Sequence, residues 1–193
     1  MHKIPDGRII ILILLVVFIG MVFVIHKSRY KPKINENINI NSSNHMQIIS
    51  PAFAPNESIP QKYACDGQNI NPPLEISGIP ENAKSLALII DDPDAPVSGG
   101  FVHWVLFNID PSVKAIAENS APSGAIQGTI GSGSVGYTGP CPPSGIHHYH
   151  FKLFALDDKL NLDSSAKRSA VENAMEGHIL DQAVLIGLYQ RKT

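Results

Sequence analysis

The residues of this chain that are best suited to chemistry are carboxylates and histidines beside loops rich in proline and glycine. Asp92 and Asp94 belong to the segment DDPDAP, and His103 follows it after a loop with two glycines. His147 and Tyr149 follow a second such loop, GPCPPSG. Two imidazoles and a phenol can donate hydrogen bonds to an anion, and a nearby carboxylate can hold an imidazole in one tautomer. Their joint placement predicts a shared pocket for a phosphate or carboxylate group.

Each of these residues also has a purely structural interpretation. An aspartate before a loop proline, such as Asp94, often only caps a turn. A single histidine in a strand is more often a hydrogen-bonded core residue than a ligand. The prediction therefore depends on three separate stretches meeting in one place. Backbone N–H groups around Gly139, Ser144 and Gly145 could then add further donors to an anion.

Two catalytic alternatives use the same part of the sequence. His103, His147 and two aspartates would suit zinc or iron, which would allow metal-assisted hydrolysis. The spacing gives this little support, because His148 and His150 lie on the strand face that is predicted to meet solvent. Nucleophilic catalysis is weaker still, since no GxSxG motif is present and no nucleophile is paired with a base. We expect binding rather than catalysis, with no metal or other cofactor.

Two strongly apolar runs position the first half of the site. Residues 86–90 and 101–109 are rich in β-branched or aromatic residues and bounded by turn residues, as in buried strands. Alternation predicts two faces for the second run: His103, Val105, Phe107 and Ile109 on one, and Val102, Trp104, Leu106 and Asn108 on the other. Both faces are mostly apolar, so we expect this strand inside the fold.

A third run positions the second half of the site. From residue 146 onward the alternation predicts a core face made of His147, Tyr149, Phe151, Leu153 and Ala155. The opposite face, predicted to meet solvent, comprises His148, His150 and Lys152. Elsewhere the sequence predicts a brief strand over 74–77, a long loop over 120–136 and a last strand over 183–192. Asp163-Ser164 and Gly177 predict a helix over 165–176.

The composition is that of one ordinary globular domain and not that of a nucleic-acid binder. Of 193 residues, 44% are hydrophobic, and the formal net charge is −2. No basic run interleaved with aromatic residues follows Tyr30. Fifteen glycines and fifteen prolines interrupt the chain so often that short strands are favoured over a helical bundle.

The N-terminal residues 1–30 predict a membrane anchor. Residues 9–25 form an uncharged apolar run of about 17 residues, at the lower limit for a membrane-spanning helix. No small-x-small cleavage site comes after it, which favours an uncleaved anchor over a cleaved signal peptide. Residues 31–47 predict a flexible tether, and residues 48–193 the folded domain.

The charges that flank the apolar run indicate on which side of the membrane the folded domain lies, but less directly than the run indicates the anchor. Basic residues are more numerous after the apolar run, and counted alone they would hold the domain in the cytoplasm. A short basic leader before a signal anchor commonly leads to export of the chain beyond the anchor. We therefore expect an extracytoplasmic domain, periplasmic or at the cell surface, with secretion after cleavage as the alternative.

The two cysteines of the chain, Cys65 and Cys141, each lie in a loop. Two cysteines in an exported domain suggest one disulfide that joins the loops. Two unpaired thiols are the alternative. The sequence leaves both open.

Several motifs, taken in order, resemble the phosphatidylethanolamine-binding protein family, and more narrowly its prokaryotic Raf-kinase-inhibitor-like branch. They are DPDAP, VHWVLFNI, GPCPPSGIHHYHFKLFALD, GHIL and LIGLYQR, and the resemblance runs from about Phe53 to the C-terminus. It implies a mainly β fold, a β-sandwich of antiparallel sheets with a few peripheral helices. It also implies a small cavity at one end that takes phosphate, acetate or a phospholipid head group.

The resemblance implies that the cavity is formed by Asp92, His103, Pro142, Pro143, His147 and Tyr149. With Asp94, which was chosen above for its place beside the loop, these make seven predicted ligand-binding residues. Family members commonly have arginine between the last histidine and the tyrosine, where this chain has His148, so the charge of the rim depends on pH. The implied partners are a small anion or head group, and the membrane through the N-terminal helix. Eukaryotic relatives regulate kinases and some inhibit serine proteases, which implies an inhibitory or signalling role, but no residue here identifies a target.

Overall fold

Residues 45–191, the part of the chain that the computed structural model describes, form eight β-strands, one α-helix and one 3-10 helix. In chain order these are β1 (Gln47–Ile49), the 3-10 helix (Gln61–Tyr63), β2 (Leu74–Ser77), β3 (Ser85–Asp92), β4 (Phe101–Ile109), β5 (Ala115–Ile116), β6 (Ile126–Gln127), β7 (His147–Leu156), α1 (Arg168–Met175) and β8 (Ile179–Tyr189). The predicted anchor and nearly all of the predicted tether lie outside these residues. Within 45–191 no helix has the length and apolar character needed to cross a membrane.

The strands form two antiparallel sheets. The smaller sheet has the order β1-β2-β5 and the larger has the order β6-β4-β3-β7-β8. This confirms the mainly β fold that the resemblance implied. The few peripheral helices that were expected amount, in the described residues, to α1 and the 3-10 helix.

The central strand β3 is buried along its whole length because both of its faces are covered. On one face Leu86, Leu88 and Ile90 pack in the core between the sheets, which also holds Ile48 and Leu74 from the smaller sheet. On the other face Ala87 and Ile89 pack in a second core with Val171 and Met175 of α1. Two covered faces explain why this strand reads in the sequence as an unbroken apolar run.

Strand β4 departs from the predicted alternation. Its residues in the core between the sheets are Trp104, Leu106 and Ile109, and those in the core under α1 are Val105 and Phe107. The register against β3 shifts near both ends of β4, and each shift adds one residue to β4 relative to β3. A strict period of two cannot hold across such β-bulges. The predicted face that grouped His103 with Val105, Phe107 and Ile109 is therefore wrong.

Strand β7 has the predicted core face, since His147, Tyr149, Phe151, Leu153 and Ala155 are all buried. The opposite face meets solvent only in part. The Nζ atom of Lys152 lies 2.7 Å from Oδ2 of Asp91, a buried carboxylate on the neighbouring strand. This lysine is thus one partner of an ion pair and not a simple surface residue.

Three element boundaries differ from the sequence expectation. Helix α1 begins at Arg168, later than predicted, because the carboxylate of Asp163 accepts hydrogen bonds from Ser165 in a turn of its own. Strand β8 begins at Ile179, four residues earlier than predicted. The predicted loop over 120–136 contains the short strand β6, which pairs with β4.

Candidate functional site

A cavity of about 280 Å³ lies where the end of β3 meets the beginnings of β4 and β7. Its polar lining residues are Asp92, His103, Thr138 and His147. Its apolar lining includes Ala95, Pro96, Val97 and Phe101. This volume is at the small end of the range for ligand pockets, and it suits a phosphate-sized group with a short substituent.

The antiparallel pairing explains why residues distant in sequence meet here. β3 runs antiparallel to both of its neighbours, so its C-terminal end lies beside the N-terminal ends of β4 and β7. Asp92, the last residue of β3, is opposite Phe101, the first of β4, and Asp91 is opposite His150 near the start of β7. Three of the predicted site segments are thus brought together by sheet topology alone.

Asp92 and His147 form a buried pair at one side of the cavity. Oδ2 of Asp92 lies 2.8 Å from Nδ1 of His147, and only 4% and 10% of the two side chains are exposed. Oδ1 of Asp92 accepts the backbone N–H of Asp94 at 2.9 Å. Because a carboxylate only accepts, Nδ1 of His147 carries the shared proton and Nε2 is left for the cavity.

His103 lies at another side of the cavity and has a different partner. Its Nδ1 is 2.9 Å from the carbonyl oxygen of Thr138, which can only accept, so Nδ1 is protonated. The ring contacts Phe101 and Tyr149, at centroid distances of 4.9 and 5.2 Å. Burial lowers the pKa of His103, and hydrogen bonds to the backbone of Thr138 and Gly139 and the charges of Asp92 and Asp91 offset this only in part. The favoured species is a neutral imidazole with an unprotonated Nε2.

Tyr149 lies behind the lining and not in it. Its side chain is fully buried, and its hydroxyl has no hydrogen-bond partner among the described residues. Burial, and then the carboxylate of Asp92, raise the pKa of Tyr149, so the hydroxyl stays protonated.

Two other predicted residues lie outside the lining. Oδ2 of Asp94 accepts both the backbone N–H and the Nδ1–H of His148, at 2.8 and 2.7 Å, on the exposed rim. These hydrogen bonds lower the pKa of Asp94. Pro142 directs its carbonyl to Nε of Arg191 at 2.7 Å, whereas the adjacent Pro143 lines the cavity.

The loop before β7 is held against the segment that follows the 3-10 helix. Cys65 and Cys141, both part of the lining, form a disulfide with their Cα atoms 5.4 Å apart. The backbone N–H of Gly139 donates to Oδ1 of Asn69 at 2.7 Å, so it is not available to an anion as the sequence had suggested. A Cβ at this glycine would lie 2.2 Å from the carbonyl oxygen of Tyr63, which explains why the close approach requires glycine.

The other two residues of the expected donor group, Ser144 and Gly145, are exposed and lie outside the cavity lining. The residue that sequence reasoning missed is Thr138. It acts through its backbone carbonyl, so no side-chain motif could have pointed to it. To predict the role of Thr138, one would need to know that the GYTGPC loop packs beside β4, and this is a tertiary contact.

A metal centre finds little support in this geometry. Among residues 45–191 no three histidine, cysteine, aspartate or glutamate side chains converge on one point as metal ligands would. The cysteines are bonded to each other, and Asp92 is already paired with His147. The described residues therefore give the metal-assisted alternative no assembled ligand set.

Comparison with protein families and curated proteins gives a consistent result. The family model described as phosphatidylethanolamine-binding protein matches residues 49–190. A UPF0098 protein of Methanothermobacter thermautotrophicus is 52% identical over 151 residues, which are 76% of this chain and 99% of the relative. A UPF0098 protein of Pyrococcus horikoshii is 49% identical over 152 residues, covering 75% of this chain and 76% of the relative.

Solved structures agree with the sequence matches. A phosphatidylethanolamine-binding protein homologue from Chlamydia trachomatis superimposes with a TM-score of 0.74 at 41% identity, over 77% of this chain and 99% of the other. YbcL of Escherichia coli is described as a new member of the mammalian phosphatidylethanolamine-binding protein family. It superimposes with a TM-score of 0.73 at 32% identity, over 77% of this chain and 99% of the other. Residues 49–190, which the family model matches, include every residue of the cavity lining.

Proposed function

The chain belongs to the phosphatidylethanolamine-binding protein family, in the prokaryotic branch that includes YbcL, and on that premise we propose that its cavity binds a small anion carrying a phosphate group, such as a phospholipid head group. The observation that carries the proposal is that two histidines, each hydrogen-bonded through Nδ1, line one small cavity. Family membership supports the class of ligand.

The accessibility of these nitrogens supports a ligand between them. Among the described residues, the buried side-chain nitrogen and oxygen atoms without a hydrogen-bond partner are Asp91 Oδ1 and Tyr149 Oη. Nε2 of His103 and of His147 also has no protein partner, yet neither belongs to that buried set. Because both histidines line the cavity and use Nδ1 for a protein partner, a ligand in the cavity can complete the hydrogen bonding of Nε2.

The charges around the cavity are compatible with an anion although a carboxylate lines it. Both oxygens of Asp92 already accept hydrogen bonds, from the N–H of Asp94 and from His147. An anion next to Nε2 of His147 adds a second negative neighbour to that ring. Asp92 and a bound anion would then lie on opposite sides of the His147 ring.

The mode of action that we propose is binding and not catalysis. Among the described residues neither Nε2 hydrogen-bonds to a hydroxyl or thiol, so the pairing that activates a nucleophile is not assembled. An inhibitory or signalling role would follow if the bound anion belonged to a partner protein. The residues of the cavity name no such partner.

Calorimetric titration of the full-length chain in a phosphate-free maltoside detergent tests this function. Phosphoethanolamine is expected to bind to wild type, and His147→Ala is expected to weaken binding about tenfold or more, since a charge-assisted hydrogen bond is lost. His178→Ala is the matched control, because His178 also pairs through Nδ1 with an aspartate at 2.8 Å but lies outside the cavity. If wild type and His147→Ala bound the ligand equally poorly at millimolar concentration, the function would have to be abandoned.

We further propose that the domain is membrane-anchored and extracytoplasmic. The uncharged apolar run over residues 9–25 supports the anchor, and the disulfide is a bond that persists in oxidising compartments. Protease protection of intact cells and of inverted membrane vesicles tests the location. Digestion of the domain in inverted vesicles, and not in cells whose outer barrier has been opened, would place it in the cytoplasm.

A further inference from the structure

We propose that Asn56 is a site of N-linked glycosylation, at which a lipid-linked oligosaccharide donates its sugar chain after the domain has been exported. The motif that carries the proposal is Asn56-Glu57-Ser58, an asparagine followed at the second position by a hydroxyl residue, with no proline between them. The inference goes beyond the proposed binding function, because it concerns a surface apart from the cavity. It rests on the proposed extracytoplasmic location, where asparagine-linked sugars are attached.

All three residues of this motif are exposed on the folded domain. Asn56 lies in a turn between Phe53 and Ile59, whose buried side chains belong to the core between the two sheets. Among the described residues, the side chains of Asn56 and Ser58 make no hydrogen bond to the protein. The amide that would accept a sugar and the hydroxyl that marks it for transfer are thus both accessible.

Asparagines with a structural role in this fold use their side-chain nitrogen inside it. Nδ2 of Asn71 donates to the carbonyl oxygen of Ala117 at 2.9 Å. Nδ2 of Asn108 donates to the carbonyl oxygen of Leu160, also at 2.9 Å. Asn56 has no comparable contact, so its nitrogen can be modified without breaking a bond of the fold.

The backbone gives Asn56 a structural reason to be asparagine, but this reason does not extend to Ser58. The φ angle of Asn56 is 62°, in the left-handed region that asparagine tolerates better than most residues. Asn119 has a φ of 52° and is also exposed, yet the second residue after it is Ala121. Asn119 therefore has the same local conformation without the motif, and it is the internal comparison for Asn56.

The folded domain holds the motif against the outermost strand of the larger sheet. The N–H of Asn56 donates to the carbonyl of Ile186 at 2.8 Å, and the N–H of Leu188 donates to the carbonyl of Glu57 at 2.9 Å. Both partners belong to β8, which lies near the end of the chain. These bonds therefore cannot form until nearly the whole chain has been exported, and until then the motif is open to a transferase.

The transfer itself is a balanced substitution at the first sugar. Nδ2 of Asn56 forms a bond to C1 of that sugar, and the bond between C1 and a phosphate oxygen of the lipid-linked donor breaks. The lipid phosphate leaves with the electron pair of the broken bond. Nδ2 gives up one of its two protons to a base of the membrane-bound transferase, and no oxidant or reductant is required.

A sugar chain at this position would lie beside an exposed sheet edge and away from the cavity. Val184, on β8 two residues before Ile186, is 53% exposed, and β8 is last in the strand order of the larger sheet. A bulky, well-hydrated group next to such an edge would oppose association with other chains. None of residues 56–58 belongs to the cavity lining, so the proposed anion binding does not depend on the modification.

Tandem mass spectrometry of the full-length protein, purified from the cells in which it naturally occurs, tests the inference. The peptide that contains Asn56 is expected to carry sugar on that residue in most molecules, and the peptide that contains Asn119 is expected to carry none. The chain has one further triplet of this kind, Asn41-Ser42-Ser43, outside the described residues, and assignment by peptide separates the two.

The outcomes separate this inference from the other proposals. An unmodified Asn56 in a domain that protease protection places outside the cytoplasm would overturn the inference and leave the location and the binding function intact. Sugar on Asn41 alone would do the same. A domain found in the cytoplasm would remove the inference together with the proposed location, and the binding function would still stand.

Variants of Ser58 test whether the motif, and not exposure alone, directs the modification. Ser58→Ala keeps Asn56 and its turn and is expected to lose the sugar, whereas Ser58→Thr keeps the motif and is expected to retain it. Ser120→Ala is the control, because Ser120 is an exposed serine directly after Asn119 and outside any such motif. Affinity for phosphoethanolamine should stay within about twofold of wild type in all three variants. Sugar that persists on Asn56 in Ser58→Ala would contradict the inference.

Discussion

Two consecutive aspartates on β3 have nearly the same burial and entirely different surroundings. Asp91 and Asp92 are each 3% exposed, and they point to opposite faces of the larger sheet. Oδ2 of Asp91 lies 2.7 Å from Nζ of Lys152 and 3.2 Å from Nη1 of Arg168. Oδ2 of Asp92 lies 2.8 Å from the imidazole of His147. The helix-side aspartate is thus paired with permanent cations, and the cavity-side aspartate with a titratable ring.

The difference shows that the partner, and not the carboxylate, decides whether such a residue can serve a ligand. Lys152 and Arg168 carry donors and no acceptor, and the second terminal nitrogen of Arg168 already donates to the carbonyl oxygen of Gly99 at 2.9 Å. His147 uses one nitrogen for Asp92 and keeps the other for the cavity. The helix side is therefore a structural ion-pair cluster, and the cavity side is the candidate site.

The largest expected effect concerns the disulfide on the cavity side. Replacing Cys65 and Cys141 together with serine releases a link between residues 76 positions apart, which is expected to lower the free energy of unfolding by about 4 kcal/mol through the entropy of the unfolded chain. Thermal denaturation of the double variant measures this. Wild type melted in reductant is the control and should match the variant. An unchanged melting temperature in both would mean that the link does not hold the cavity side together.

On the helix side, Lys152→Met is expected to come next. The variant leaves the buried carboxylate of Asp91 with Arg168 as its remaining cation, which is expected to cost about 3 kcal/mol of unfolding free energy. Phosphate affinity should stay within about twofold of wild type, because Lys152 is not part of the cavity lining. Chemical denaturation and calorimetry measure the two quantities, with the exposed Lys84→Met as control. A large loss of affinity at unchanged stability would reverse the roles assigned to the two faces.

A smaller effect is expected from Tyr149→Phe, which removes a buried hydroxyl that has no partner among the described residues. The unliganded protein is expected to gain about 1 kcal/mol of unfolding free energy, since a buried unsatisfied group is removed. Tyr63→Phe is the matched control, because the hydroxyl of Tyr63 donates to Glu118 at 2.7 Å and its removal should destabilise. Equal losses in the two variants would show that Tyr149 has a hydrogen-bond partner after all.

The smallest expected effect is a pH dependence that belongs to His103. Because burial lowers its folded-state pKa below the unfolded value of 6.5, the unfolded chain binds more protons and stability falls as the pH decreases below that value. We expect wild type to lose about 1 kcal/mol more than His103→Phe between pH 6.5 and 5.5. Urea denaturation at both pH values measures this. Parallel losses in wild type and variant would contradict the buried neutral imidazole.

Much of the fold followed from local pattern. The strand over 74–77, the buried character of β3 and β4, and the core face of β7 are as the sequence predicted, because burial on a sheet face imposes a period of two on the side chains. The start of α1 did not follow, because Asp163 caps its own turn before the helix begins. The faces of β4 also did not follow, because a bulge is defined by the register against another strand.

The sequence by itself determined which residues could form a site. They are carboxylates and imidazoles at the ends of predicted strands, beside loops whose prolines and glycines prevent regular helix or sheet. The sequence predicted that β3 ends at residue 90, whereas the structure continues this strand through Asp92, so that Asp91 and Asp92 belong to it. Only the tertiary structure decided that Asp92 meets an imidazole and Asp91 meets two cations, and that the carbonyl of Thr138 turns His103 into an acceptor. The physical reason is that periodicity is a property of one strand, whereas the partner of a buried polar atom comes from a segment that the chain pattern does not identify.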